Sequence, residues 1–224
     1  MRLGLGFCLL GDMQAEAFGH HAKAIAEAVT TPGVDEVKLI TTHNLCPYDR
    51  ARDAATVAAL EAGVDVLWFI DADTLVPVGA LAKLLPLLQR GPIVSGHYYR
   101  RGHPYTSVWS VATADTDVWH QVTAQTGVFE VDSVGLRCTL VDLRWMCLNV
   151  QQPWWKCWTG MTEDVQLCKK VREAGGKVIA CADVRCGHLE GRKAVTDENV
   201  AKLQRWALDE QTATTALEVS NAKR

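Results

Sequence analysis

Residues 64–77, VDVLWFIDADTLVP, constrain this chain more than any other stretch. Val66 to Ile70 are apolar without interruption, the pattern of a strand covered on both faces in a parallel sheet. The run ends in two carboxylates spaced one residue apart, Asp71 and Asp73. Open α/β sheets bind ligands in the crevice beyond the carboxyl ends of their strands. Both acids therefore belong at the mouth of such a crevice. Two oxygen donors in a turn suit a hard divalent cation, Mg²⁺ or Mn²⁺, that also holds phosphates. A bare acidic turn has the same spelling, so the rest of the chain must supply the other parts of a site.

The preceding residues supply a scaffold. Leu3 to Leu10 form a first strand broken by Gly11-Asp12, and Ala15 to Val29 carry a helical apolar face that stops before Pro32-Gly33. Val37 to Thr41 make a second strand, 42–50 a polar loop, and Ala51 to Ala62 a helix with Gly63 as its C′ residue. This is βαβαβ, the order of a nucleotide-binding half-sheet. Beyond Pro77 a helix is expected over 78–88, bent by Pro86, and a strand over 93–95. Short runs at 107–111, 118–122, 128–131 and 137–143 have a more antiparallel character. Gly135 marks a close backbone approach or a bend. A Trp-rich loop covers 152–158, a helix 163–174 and a strand 177–181, with 184–189 carrying His188 and 197–208 a closing amphipathic helix.

The 224 residues suit one domain, with 1–100 as a nucleotide-binding half, 101–190 as an acceptor half and 211–224 as a flexible tail. A net charge of −3 with no basic block argues against a nucleic-acid partner. No apolar stretch reaches the ~20 residues of a transmembrane segment. The N-terminus reads as a buried strand rather than a signal. A cytoplasmic protein is expected. Eight scattered cysteines without a CxxC pair fit reduced thiols. Cys181, Cys186 and His188 lack the second close-spaced pair of a closed zinc site.

Four further candidates complete a site. Glu163 and Asp164 follow Thr162 in a first helical turn, where the macrodipole alone favours acids. On the helical wheel, however, Asp164 falls in the stripe of Leu167, Cys168, Val171 and Ala174, with Glu163 near its edge. An inward carboxylate with a raised pKa is a competent general base. His188 offers an imidazole beside the carboxylates. Arg52 opens the helix that feeds the acidic strand and suits phosphate. Trp154, Trp155 and Trp158 have indole faces fit for sugar rings, or for a core.

In order and spacing, these parts resemble a family-2-type glycosyltransferase of the GT-A fold, an α/β fold with a mostly parallel central sheet and a small antiparallel acceptor side. The likeness rests on ARD at 51–53, FIDADTLVP at 69–77, VSG at 94–96, VDSVG at 131–135, PWW at 153–155, TEDVQLC at 162–168 and the late His188. It implies a nucleoside-diphosphate sugar donor of UDP or GDP type, bound with Mn²⁺ or Mg²⁺, and a sugar, lipid-linked or small-molecule acceptor. By that likeness Asp73 is the direct metal ligand, His188 completes the metal shell, and Asp71 meets the ribose or reaches the metal through water. Asp164 takes the acceptor proton in an inverting transfer, and Glu163 helps to hold the acceptor. Arg52 faces the donor, the regions of Gly11 and Thr42 read the base, and the Trp154–Trp158 loop shapes the acceptor side. The chain departs from the family where strand one lacks a Pro-Thr ending and strand two ends in Thr41-Thr42-His43, which leaves the base open.

LWFIDADT at 67–74 also matches the nucleophile block of haloacid-dehalogenase-type phosphatases, with Asp71 as the phosphorylated group and Asp73 as the acid. That block normally opens the first strand of its domain, whereas here βαβα precedes it. A sugar-nucleotide nucleotidylyltransferase needs a Gly-rich, Arg/Lys-bearing loop after strand one, and Leu9-Leu-Gly-Asp-Met13 is not such a loop. A non-catalytic sugar-binding module is the third alternative, and it would not need both Asp73 and Asp164.

Overall fold

The computed structural model describes residues 1–102, 104–112, 119–122, 126–157, 160–191 and 193–205. Strand β1 (Arg2–Leu9), helix α1 (Ala15–Thr30), β2 (Glu36–His43), α2 (Tyr48–Glu61) and β3 (Val66–Ile70) form the first half. β1 pairs in parallel with both β2 and β3. Every residue of β3 is buried, as an uninterrupted apolar strand requires. The turn from α2 into β3 depends on Gly63, whose φ of +69° gives α2 a left-handed finish.

β4 (Thr74–Leu75) leads to a short helix α3 (Ala80–Leu84), which tightens into a 3₁₀ turn at Leu85–Gln89 around Pro86. α3 starts later than expected because Pro77 lies ahead of the helix rather than in its first turn. Its first amides are taken by Glu27 of α1, which accepts from Gly79 and Ala82. β5 (Ile93–His97), β6 (Ser110–Ala112), β7 (Trp119–Gln121), β8 (Val128–Val131) and β9 (Cys138–Asp142) follow. Of the run expected at 118–122, residue 118 lies outside the described residues.

Helix α4 (Leu143–Asn149) occupies a stretch to which the sequence expectation, a strand over 137–143 followed by a loop at 152–158, assigns no element beyond residue 143. Asp142 caps it by accepting from the Trp145 amide. Helix α5 (Glu163–Glu173) and strands β10 (Val178–Arg185), β11 (Gly187–Glu190) and β12 (Lys193–Val195) complete the fold. The chain is helical again over 200–205. The rest of the closing helix and the expected tail lie outside the described residues.

Among the described residues the main sheet has seven strands in the order β2-β1-β3-β9-β5-β10-β8. β9 runs antiparallel between β3 and β5, and β8 runs antiparallel to β10. The other strands point one way, so the sheet is mostly parallel and the fold is Rossmann-like. A small sheet, β12-β11-β4, sits beyond the carboxyl end of β3. Its register places His188 opposite Thr74, one residue past Asp73.

Candidate active site

The turn after β3 presents Asp71 and Asp73 where the open sheet ends. The Asp71 amide donates to the Arg137 carbonyl (3.2 Å), and the Asp71 carbonyl accepts from Thr74 (3.0 Å), which closes the turn. Because β9 is antiparallel to β3, its first residues lie beside the last of β3, with Ile70 opposite Cys138. Arg137, just ahead of β9, is thereby delivered onto both acids. It touches Asp73 directly and stands 3.7 Å from Asp71. Arg101 adds a second guanidinium to Asp73 at 3.1 Å, and buried Arg52 reaches Asp71 at 2.5 Å. Burial alone would raise the Asp73 carboxyl, but His188, Arg137 and Arg101 outweigh it and hold it at about 2. Burial likewise works against the Arg52 charge, and the Asp71 carboxylate, together with Cys8 and Glu163, more than offsets it.

His188 is almost wholly buried. Its Nδ1 lies 2.8 Å from the Tyr99 carbonyl, which can only accept, so Nδ1 carries a proton. Nε2 stands 3.4 Å from Asp73 Oδ2, beyond ordinary hydrogen-bond range, and has no hydrogen-bond partner among the described residues. With a proton on Nε2 the ring pairs with the Asp73 carboxylate, and with a cation between the two it offers that cation a lone pair. Asp73 and His188 thus fit a divalent cation. Among the described residues no third His, Cys, Asp or Glu converges with them. Water and substrate oxygens would fill the remaining positions, as they commonly do around Mg²⁺ and similar ions.

Two cavities meet at this cluster. The smaller, about 240 Å³, lies between the end of β1 (Cys8, Leu10, Asp12), Tyr48 and the Asp71–Asp73 turn. The larger, about 420 Å³, is bounded by Tyr98, Ser133, Thr162, Asp164 and His188. Arg101 and Arg137 line both. Neither residue is a sequence candidate, because an arginine reveals its partner only once the register of β9 and the loop after β5 are known. Tyr98 backs the cluster, its ring 5.7 Å from the Arg137 guanidinium and 5.9 Å from the His188 ring. Gly135 makes room for it, since a Cβ there would lie 1.8 Å from the Tyr98 hydroxyl. That is the close approach expected at Gly135.

The two acids of α5 divide differently from the helical-wheel expectation. Glu163 is the buried one and shares the inner face with Leu167, Cys168 and Val171. Burial, and the neighbouring Asp164 charge, push its carboxyl up to about 7. The acid raised by burial is therefore Glu163. The first turn of α5 overhangs the edge of the core, so Asp164 opens onto the larger cavity while Glu163 tucks beneath, 3.9 Å from the Cys157 thiol.

Trp154 and Trp155, expected on the acceptor side, are core residues. Their indole N–H groups donate to the Val150 carbonyl and to Thr56 Oγ1, and Trp155 packs edge-on against Phe69 of β3. Two large aromatic surfaces beside the central strand are better buried than exposed. Trp158 lies outside the described residues. Gly11 takes φ of +76° between cavity-lining Leu10 and Asp12, and its amide donates to Asn44. Thr42 is buried opposite Cys8.

No family model and no curated protein matches the sequence. Among solved structures, the chain is similar to A197 from STIV, with 16% identity and a TM-score of 0.64 over 88% of this chain and 94% of that one. It is also similar to GalNAc-T7 crystallised with UDP, GalNAc and Mn²⁺, with 14% identity and a TM-score of 0.54 over 84% of this chain and 44% of that one. Likeness at such identity shows the fold alone. The chain shares the overall fold of these two structures. The phosphatase alternative is not favoured. Its block would have to open the first strand, yet β3 comes third and lies inside the sheet, with Asp71 committed to a buried Arg52. Among the described residues no helix is long and apolar enough to cross a membrane.

Proposed function

We propose that this chain is a GT-A glycosyltransferase of family-2 type, which moves a sugar from a nucleoside-diphosphate sugar to an acceptor hydroxyl with the help of Mn²⁺ or Mg²⁺. One observation carries the reading. Asp73 and His188 Nε2 face each other at the junction of two cavities, and Asp164 lines the far wall of the larger one.

On this reading the smaller cavity takes the nucleoside diphosphate, between Tyr48, the β1 end near Gly11 and Thr42, and the acidic turn. Asp73 and His188 hold the divalent cation, which neutralises charge on the departing diphosphate. Asp71, committed to Arg52, acts at one remove, on the ribose or through water. Arg52 fixes Asp71, and so supports the donor indirectly. Asp164, on the opposite side of Arg137, accepts the proton of an acceptor hydroxyl placed in the larger cavity. Attack from that side inverts the sugar. Glu163 buttresses the first turn of α5 from below. UDP and GDP sugars are the donor class. The acceptor is a sugar, a lipid-linked sugar or another small molecule.

A thermal-shift screen of UDP-, GDP- and dTDP-sugars with and without Mn²⁺ tests the reading. Stabilisation by one donor class that requires the metal is the expected result. The same stabilisation in Asp73→Asn would end the metal assignment.

A further inference from the structure

Asp73 already has cationic partners on the side a metal ion would need. Arg137 is in direct contact with one of its oxygens, Arg101 stands 3.1 Å from the other, and Arg52 engages Asp71. Three guanidinium groups thus surround two carboxylates, and positive charge is in excess. A divalent cation brought against this cluster meets repulsion, at short range and in partly desolvated surroundings. It also competes for oxygens that already accept charge-assisted hydrogen bonds.

The two outer arginines have an alternative partner within reach. Both line the smaller cavity, where a diphosphate would lie, and guanidinium groups bind phosphate oxygens in paired fashion. The backbone that carries Arg101 is fastened. Tyr99 bridges to Ser107, and Glu190 of β11 accepts from the Gly102 amide and the Tyr105 hydroxyl. Arg137 is anchored by the start of β9. Only side-chain rotation is then needed to move either guanidinium from carboxylate to phosphate.

We infer that Arg137, assisted by Arg101, acts as a counter-ion switch. It holds Asp73 until a nucleoside diphosphate enters, transfers to the phosphates, and so frees Asp73 for the cation. The switch makes metal affinity depend on donor through residues of this chain, in addition to any ligation by the phosphates themselves. It rests on the metal-dependent reading above.

The test is Mn²⁺ binding to the full chain, followed by loss of the free-ion electron paramagnetic resonance signal, first with no nucleotide present. Arg137→Gln should tighten Mn²⁺ by about tenfold or more, the worth of one charge-assisted contact. Arg101→Gln should tighten it by a smaller factor. Arg100→Gln removes a charge from the same cavity wall without an ion pair to Asp73, and should change little. With UDP or GDP added, wild type should gain more Mn²⁺ affinity than Arg137→Gln does. Unchanged metal-alone affinity in both Arg137→Gln and Arg101→Gln would overturn the switch, and so would equal tightening by Arg100→Gln. Should Arg137→Gln fail to fold, the half-exposed Arg101 carries the test alone. No Mn²⁺ binding in any form, with UDP or GDP, would remove the metal centre itself and the switch with it.

Discussion

Asp71 and Asp73 meet three arginines, whereas Glu163 and Asp164, across the same junction, have no ion pair among the described residues. Both pairs sit at the end of a secondary-structure element beside a cavity, and both are written in the sequence as closely spaced acids. The difference lies in what the fold brings to them. The first pair receives cations from three separate segments, and Asp73 is held ionised, at about 2. The second receives burial and a like charge, and Glu163 rises to about 7. A carboxylate fixed as an anion suits a metal site, whereas an acid poised near neutrality suits proton exchange or its support. Acidic spacing alone does not distinguish these roles.

The contrast can be broken most severely at Asp164. Asp164→Asn should lower transfer by about a thousandfold, the usual scale for a positioned general base, with donor binding intact by thermal shift. Retained turnover would take Asp164 out of the chemistry and leave the α5 pair purely structural.

Arg52→Ala should cost about 3–5 kcal/mol in chemical denaturation, since it strands the Asp71 carboxylate in a nearly buried setting. A loss below about 1 kcal/mol would mean that the first pair is less dependent on its arginines than the geometry implies.

The third prediction concerns pH. Glu163 titrates higher in the folded state (about 7) than at its ordinary value of 4.5, so the folded chain binds the extra proton between those values. Its contribution to stability is therefore fully present below pH 4.5 and is lost as pH rises towards 7, by about 3 kcal/mol. Glu163→Gln should remove that decline, and the stability difference between variant and wild type should grow over this window. For Asp73 the sign is opposite. Its contribution is present above pH 3.8 and is lost as pH falls through about 2. A flat difference curve for Glu163→Gln would erase the distinction between the two pairs.

The smallest effect is expected at Gly135→Ala, about 1–3 kcal/mol, because the new methyl collides with the Tyr98 hydroxyl. Adding Tyr98→Phe should recover part of it. Failure to do so would place the strain elsewhere in that backbone.

The first half of the fold is legible from local pattern, since the βαβαβ order, the fully apolar β3 and the Gly63 stop each follow from residues close together in the chain. The acidic turn, His188 and the acids of α5 are legible as candidates for the same reason. α4 is not. Leu143–Asn149 is a short apolar run whose periodicity cannot separate a helix from a buried strand, and the decisive clue is the Asp142 cap. The tryptophans mislead because an indole is equally at home against a sugar or against Phe69. Arg137 and Arg101 escape because their meaning depends on partners distant in sequence. The wheel sets Asp164 inward and misses Glu163, the acid that is buried, because it cannot tell where the core ends beneath the first turn.

The reversed direction of β9 has a consequence for how this protein tolerates change. In a strand that alternates its faces, a slip of one residue exchanges the two sides. A single deletion within 138–142 would therefore replace the Arg137 guanidinium at the acidic turn with the neighbouring Leu136 side chain, even though no residue near Asp71 or Asp73 in sequence had been altered. Length variation across β9 should be far more damaging than in the loop that precedes it, and a library of single deletions along 132–142 would map the boundary as a sharp step in donor binding.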